Sequence, residues 1–207
     1  MQVFLIHGMG RSRMSMVGLG RHLRRHDHHT SLFGYSVATR SLDGIADAFL
    51  THLTAARSRY PDEPYAIVGH SLGNIITRLL TERLPPGLSR FVMLAPPNRS
   101  PALARAMRGQ PVFRLFTGDA GQRLGDPEFY ANLARPNVPS MIIAGSKSTG
   151  LLAYRGSAPN DGIVSVEETR LADVQHHVVP AVHTFIMNHP RTRELIARFL
   201  DKPGDRV

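Results

Sequence analysis

The chain alternates short, nearly unbroken apolar runs with longer stretches whose apolar residues recur every three or four positions. Val3 to Ile6 is the first such run, and the pattern behind it predicts a helix near residues 12–25. A second strand is expected over 31–38. From Leu42, the residues Leu42, Ile45, Ala46, Phe49, Leu50 and Leu53 fall at helical spacing behind Ser41, whose hydroxyl suits a helix cap. The run at 65–68 predicts a third strand. It leads into a helix with an inner face of Leu72, Ile75, Ile76, Leu79 and Leu80 that ends before Pro85 and Pro86. Runs at 91–94, 141–143 and 177–179 predict further strands. The last helix starts at Pro190, where the missing N–H costs nothing, and packs Leu195, Ile196, Phe199 and Leu200.

Alternation of this kind over one domain predicts the α/β class: a mostly parallel sheet of about six strands with helices on both faces. With 207 residues and 42% of them apolar, the chain has material for one core and too little for two ordinary ones, so residues 1–207 are expected to form a single domain. Two stretches break the rhythm. Residues 96–136 are crowded with proline and glycine and are expected to hold short helices, forming either a small lid or a plain surface excursion. Residues 146–159 read as a second irregular loop. There is no internal repeat and no low-complexity linker.

Composition removes several classes of function. Cysteine is absent, which excludes disulfides, thiolate metal sites and a cysteine nucleophile. No apolar run approaches the roughly 18–20 residues of a membrane span, and no basic start precedes the first apolar run, so no integral membrane association is expected and a cytoplasmic protein is read. The formal charge of +9 comes almost wholly from arginine, since Lys147 and Lys202 are the lysines. The arginines are scattered and no recognition motif accompanies them, so a nucleic-acid partner is not expected. The densest basic segment, 21–29, reads as the solvated face of a helix with Leu19 and Leu23 turned inward. A metal site at His26, His28 and His29 would need a further ligand from elsewhere in the chain.

The strongest chemical signal is Gly69-His70-Ser71-Leu72-Gly73, placed where a buried strand turns into an amphipathic helix. A serine at such a bend has its hydroxyl held clear of the sheet at the positive end of the helix dipole, and the flanking glycines keep strand and helix from clashing. Serine needs a base to attack at neutral pH. Among eleven histidines, His183 is best placed, after the last strand and before the final helix; His189 is second but could cap that helix. His7 reads as ordering the first loop, and His70 as structural, pointing away from Ser71 by alternation. Asp161, in the turn Asn160-Asp161-Gly162, is the expected acid, with Asp173 the runner-up and Asp119 and Asp126 in the irregular stretch. The N–H of Leu72 and that of Met9, in the loop His7-Gly8-Met9-Gly10, are the expected oxyanion donors.

These segments resemble the α/β-hydrolase superfamily, in particular small bacterial lipase- or esterase-like serine hydrolases. The resemblance rests on His7 to Arg11, Gly69 to Gly73, Ala95-Pro96-Pro97-Asn98, Asn160-Asp161-Gly162 and His183 to Met187, in that order along the chain. It implies Ser71 as nucleophile, Asp161 as acid and His183 as base, on a minimal fold without a large cap and without the first two strands of larger relatives. Asn74 stands where a second small residue is common, and Arg99-Ser100 where many relatives have Gly-Ser.

The expected function is hydrolysis of carboxylic esters, from small-molecule or lipid substrates, through an acyl-enzyme on Ser71 with no metal or organic cofactor. Thioesterase and acyltransferase chemistry use the same three residues and stay open, as does a non-catalytic binding module of the same fold. Leu103, Met107, Phe113, Leu115 and Phe116 either line an acyl pocket or pack as core. Nothing in the pattern assigns an oligomeric state.

Overall fold

The computed structural model describes residues 1–148 and 158–202, together with the backbone but not the side chains of Arg114 and Phe116. Six strands form one sheet in the order β2-β1-β3-β4-β5-β6, and every pairing is parallel. They are β1 (Gln2–Ile6), β2 (His29–Phe33), β3 (Tyr65–His70), β4 (Leu88–Leu94), β5 (Ser140–Gly145) and β6 (Gln175–Val179). The helices are α1 (Val17–Arg24), α2 (Leu42–Arg57), α3 (Leu72–Leu79), α4 (Ala102–Met107), α5 (Pro111–Leu124), α6 (Pro127–Ala131) and α7 (Pro190–Leu200).

Continuous apolar runs are what a sheet covered on both sides requires, and side-chain alternation divides them. Phe4, Ile6, Ile67, Phe91, Met93 and Ile142 face the layer of α2 and α3. Val3, Leu5, Val68, Val92, Met141 and Ile143 face α1 and α7. The chain leaves β1 to one side for β2 and returns to its other side for β3. This reversal opens a crevice at the carboxyl ends of β1 and β3, where open parallel sheets bind ligands.

Ser41 caps α2 as expected, its Oγ accepting from the Gly44 N–H at 3.2 Å. The basic segment lies on a solvated face, with Arg21, Arg24 and Arg25 exposed and Leu19 and Leu23 buried. His26 and His28 turn toward Asp201, whereas His29 stacks on Tyr60, so the three do not converge. Among the described residues, no group of three or more histidine or acidic side chains is arranged to hold a metal, and no helix is long and apolar enough to cross a membrane.

The second strand differs from expectation. It begins at His29 and stops at Phe33, opposite the end of β1 at Ile6, well short of residue 38. Beyond it Tyr35 is drawn off the sheet: its N–H donates to His7 Nε2 at 3.2 Å, its hydroxyl to the His7 carbonyl at 2.8 Å, and the two rings stack at 4.2 Å. A side chain satisfies the backbone that a neighbouring strand would otherwise pair.

The 96–136 stretch holds α4, α5 and α6, with α5 kinked at Gly118 (φ 56°). Of the 146–159 loop, residues 149–157 lie outside the described residues. Residues 96–136 are tied down at several points. The Asn98 N–H donates to the Glu168 carbonyl at 3.0 Å, and Asp119 Oδ2 accepts from the Leu42 N–H at 3.0 Å. The main clamp is Arg78 of α3, 3% exposed, which donates to the carbonyls of Ala134 (2.7 Å) and Leu133 (2.8 Å) and to Asn98 Oδ1 (3.0 Å). Asn98 Nδ2 passes the connection to the Thr169 carbonyl at 2.7 Å. Burial lowers the Arg78 pKa to about 10, so the guanidinium stays charged at neutral pH, held by oxygen dipoles rather than a carboxylate.

Replacing Arg78 by leucine strands three acceptors in the interior and is expected to cost about 2–4 kcal/mol of stability. Arg78→Lys keeps the charge but not the fork and should fall between. Urea unfolding of the three proteins checks both, and a midpoint unchanged in Arg78→Leu would contradict the clamp.

Candidate active site

Strand β3 ends at His70, and α3 begins at Leu72, leaving one residue to turn the chain. That residue, Ser71, has φ 50° and ψ −115°, a conformation costly for any L-residue with a side chain. Three contacts hold it. The Ser71 N–H donates to the Leu94 carbonyl of β4 at 2.9 Å. The Asn74 side chain, fully buried, donates to the carbonyls of Ser71 (3.0 Å) and Leu94 (3.2 Å). On the other side, α3 presses so closely on β1 that a Cβ on Gly73 would stand 2.7 Å from the Ile6 carbonyl oxygen. Ser71 is therefore presented at the head of α3, where the helix dipole is positive and the Leu72 N–H has no partner within the helix.

Asp161 and His183 are brought together by the loops before and after β6. Asp161 Oδ2 accepts from His183 Nδ1 at 2.7 Å, and both side chains are buried. The other carboxylate oxygen accepts from the N–H groups of Ile163 (3.0 Å) and Val164 (2.8 Å). The His183 N–H donates to the Asp161 carbonyl at 2.9 Å. A proton on Nδ1 leaves the lone pair of His183 on Nε2, the arrangement a base needs.

The alternatives lie elsewhere. Asp173 is exposed in the turn before β6, at the opposite end of that strand from His183. Asp119 is bound to the start of α2, and Asp126 caps α6 by accepting from the Glu128 N–H at 3.1 Å. His189 stands at the start of α7, but its side chain makes no capping bond there, contrary to one expectation.

The loop after β1 closes the site. His7 Nδ1 donates to the Gly8 carbonyl at 2.8 Å while Nε2 accepts from Tyr35, so the neutral ring is satisfied at both nitrogens. Burial lowers its pKa. Gly8 lies so near the serine turn that a Cβ there would be 3.0 Å from Ser71 Cβ and 2.7 Å from His70 Nδ1. Only glycine lets this backbone approach. The next N–H, of Met9, makes no hydrogen bond among the described residues.

Ser71 Oγ also has no partner among the described residues, so its link to His183 is indirect. The contact that exists runs through His70, fully buried, whose Nε2 donates to the His183 carbonyl at 3.0 Å with the ring centroids 5.0 Å apart. Burial pushes its pKa well below the ordinary histidine value. Alternation gave His70 a merely structural place; nothing in local spacing signals a partner 113 residues away. Tyr35 was missed for the same reason, and Asn74 stood out only as a departure from a motif. Of the apolar candidates in 96–136, Leu103, Met107 and Phe113 are half-buried and Leu115 is exposed, while the side chain of Phe116 lies outside the described residues.

The family model for the alpha/beta hydrolase fold matches residues 2–128, and the chain belongs to that family. The matched part contains the His7 loop and the Ser71 turn; Asp161 and His183 lie beyond it. No curated protein sequence matches the chain significantly. Among solved structures, the phospholipase PlaB of Legionella pneumophila superposes with a TM-score of 0.76 at 17% identity, covering 99% of this chain. The match spans 60% of the length of that phospholipase. The mature form of a Bacillus licheniformis lipase gives 0.74 at 17% identity, covering 96% of this chain and 91% of the lipase. A lipase-esterase related protein from Clostridium acetobutylicum gives 0.62 at 13%, covering 96% and 93%. At these identities the likeness is one of fold.

His7 and His70 are held neutral by burial, whereas an unfolded histidine takes a proton near pH 6.5. Below that value the unfolded chain binds protons that the folded chain refuses. The stability these groups leave intact above about pH 6.5 is thus lost as the pH falls below it. Urea midpoints measured about one unit either side of that pH should be lower on the acid side, and less so in His70→Leu. Equal midpoints in the wild type would contradict the burial of neutral histidine.

Proposed function

We propose that the chain hydrolyses carboxylic esters through an acyl-enzyme on Ser71. The observation that carries this reading is the buried Asp161–His183 pair at 2.7 Å, joined through the His183 carbonyl to His70, the residue before a serine in a strained turn at the head of a helix. His183 Nε2 takes the Ser71 proton as Oγ attacks the ester carbonyl carbon. The displaced electron pair rests on the carbonyl oxygen, facing the N–H groups of Met9 and Leu72, each such donor being worth about 2.7–4 kcal/mol in the transition state. The tetrahedral intermediate expels the alcohol, which receives the proton from His183. Water then repeats the sequence on the acyl-enzyme, with His183 again taking and returning the proton.

Asp161 holds His183 in the Nδ1–H tautomer and offsets its positive charge. Every step uses side chains and backbone of this chain, so the scheme calls for no metal or organic cofactor. Residues 1–207 act in this reading as a single hydrolase domain, with α4 to α6 as a small lid whose Val112 and Leu115 are exposed and whose Leu103, Met107 and Phe113 can wall an acyl chain. A lipase and a phospholipase among the proteins of like fold support an ester substrate.

A fluorophosphonate probe should label the wild type and leave Ser71→Ala unlabelled; labelling of the variant would displace Ser71 as nucleophile. Asp161→Asn should lower kcat on a p-nitrophenyl ester by about 10⁴-fold, and Asp173→Asn should leave it nearly unchanged. Comparing p-nitrophenyl esters of increasing acyl length with an acyl-CoA thioester assigns the substrate class. Turnover of the thioester alone would replace the ester reading with a thioesterase.

A further inference from the structure

We infer that His70 is a positioning residue that sets where the base stands relative to the nucleophile, an inference that rests on the proposed roles of Ser71 and His183. His183 opens a 3₁₀ turn (His183–Asn188) and, among the described residues, is held by three hydrogen bonds from outside that turn. Two come from Asp161: Oδ2 with Nδ1 at 2.7 Å, and the carbonyl with the His183 N–H at 2.9 Å. These fix the imidazole relative to the acid loop. The third, from His70 Nε2 to the His183 carbonyl at 3.0 Å, comes from the last residue of β3, next to the nucleophile. Asp161 therefore determines which way the base faces, and His70 determines how far it stands from Ser71.

The chemistry of His70 separates this role from simple filling of space. A carbonyl oxygen only accepts, so Nε2 must carry the proton, and Nδ1 is left as a bare acceptor. Nδ1 is buried and has no hydrogen-bond partner among the described residues, and it faces Gly8 of the oxyanion loop. A buried acceptor without a donor costs free energy, and a leucine of similar bulk would avoid that cost. An imidazole here weakens the fold at one nitrogen and holds the base with the other. Its single ring, carried by the residue next to the nucleophile, meets the two parts that must stay in register with it: the base at the His183 carbonyl and the oxyanion loop at Gly8.

The test compares His70→Leu, which removes the donor, with His70→Gln, whose side-chain amide N–H reaches about as far as Nε2. Kinetics on a p-nitrophenyl ester are normalised to the concentration of sites a fluorophosphonate can titrate. We expect His70→Leu to lose on the order of 10²-fold in kcat with KM little changed, because misplacing a reacting group by about 1 Å costs that much. His70→Gln should recover most of the loss. The inference is overturned if both variants match the wild type, or if both lose activity only in proportion to lost folded protein. Nitrogen NMR of the wild-type imidazoles needs no variant: His70 should carry its proton on Nε2, and a proton on Nδ1 instead would overturn the inference. Absence of labelling in the wild type, or labelling of Ser71→Ala, would remove the serine mechanism and this role with it; failure of His70 alone leaves that mechanism standing.

Discussion

Ser71 sits in a backbone conformation that costs on the order of 1–3 kcal/mol, and much of the molecule is arranged so that it stays there. The turn is held between two packed elements. Below it, β3 pairs with β1 on one side and β4 on the other, so the strand cannot shift to relieve the angle. Behind it, Leu72, Ile75 and Ile76 are fully buried, each contributing about 1.5–3 kcal/mol. Their burial outweighs the strain several times over. Asn74 then ties the turn to β4, donating to the carbonyls of Ser71 and Leu94.

The same bracing spreads outward through buried polar groups instead of ion pairs. His7 is locked between Gly8 and Tyr35, Asp161 is held by two backbone N–H groups, and Arg78 is wrapped by carbonyls. Such groups tolerate one protonation state and one geometry, because any change leaves a donor or acceptor unpaired in a medium that cannot solvate it. Surface pairs such as Arg83–Asp47 and Arg198–Glu194 add little by comparison, being mostly exposed and screened. The +9 charge is therefore largely a property of the surface, while the buried groups among the described residues include the neutral His7 and His70, the Asp161 carboxylate and the guanidinium groups of Arg78 and Arg90.

Much of this architecture was legible along the chain. Runs such as 3–6, 65–68 and 141–143 mark the strands because a doubly covered parallel sheet has no polar face to interrupt them. Helical spacing from Leu42 and from Leu72 marked α2 and α3, and the five residues around Ser71 marked the turn. The limits of β2 were not legible, since its end is set by the length of β1 and by Tyr35 reaching for His7. Nor were the contacts of His70, Arg78 and Asn98, which join residues tens of positions apart.

The sequence by itself determined which segments become strands and helices, and which residue types stand at their ends, because both follow from local periodicity and turn chemistry. It also put a serine, an aspartate and a histidine into loops at the carboxyl ends of the strands, since successive parallel strands all end on that side. Only the tertiary structure decided that Asp161 and His183 meet at 2.7 Å, that Gly8 lies against Ser71, and that His70 bonds the His183 carbonyl. Distances between loops depend on how the sheet twists and how closely the helices pack against it. Those are sums over the whole core, and no short stretch of chain encodes them.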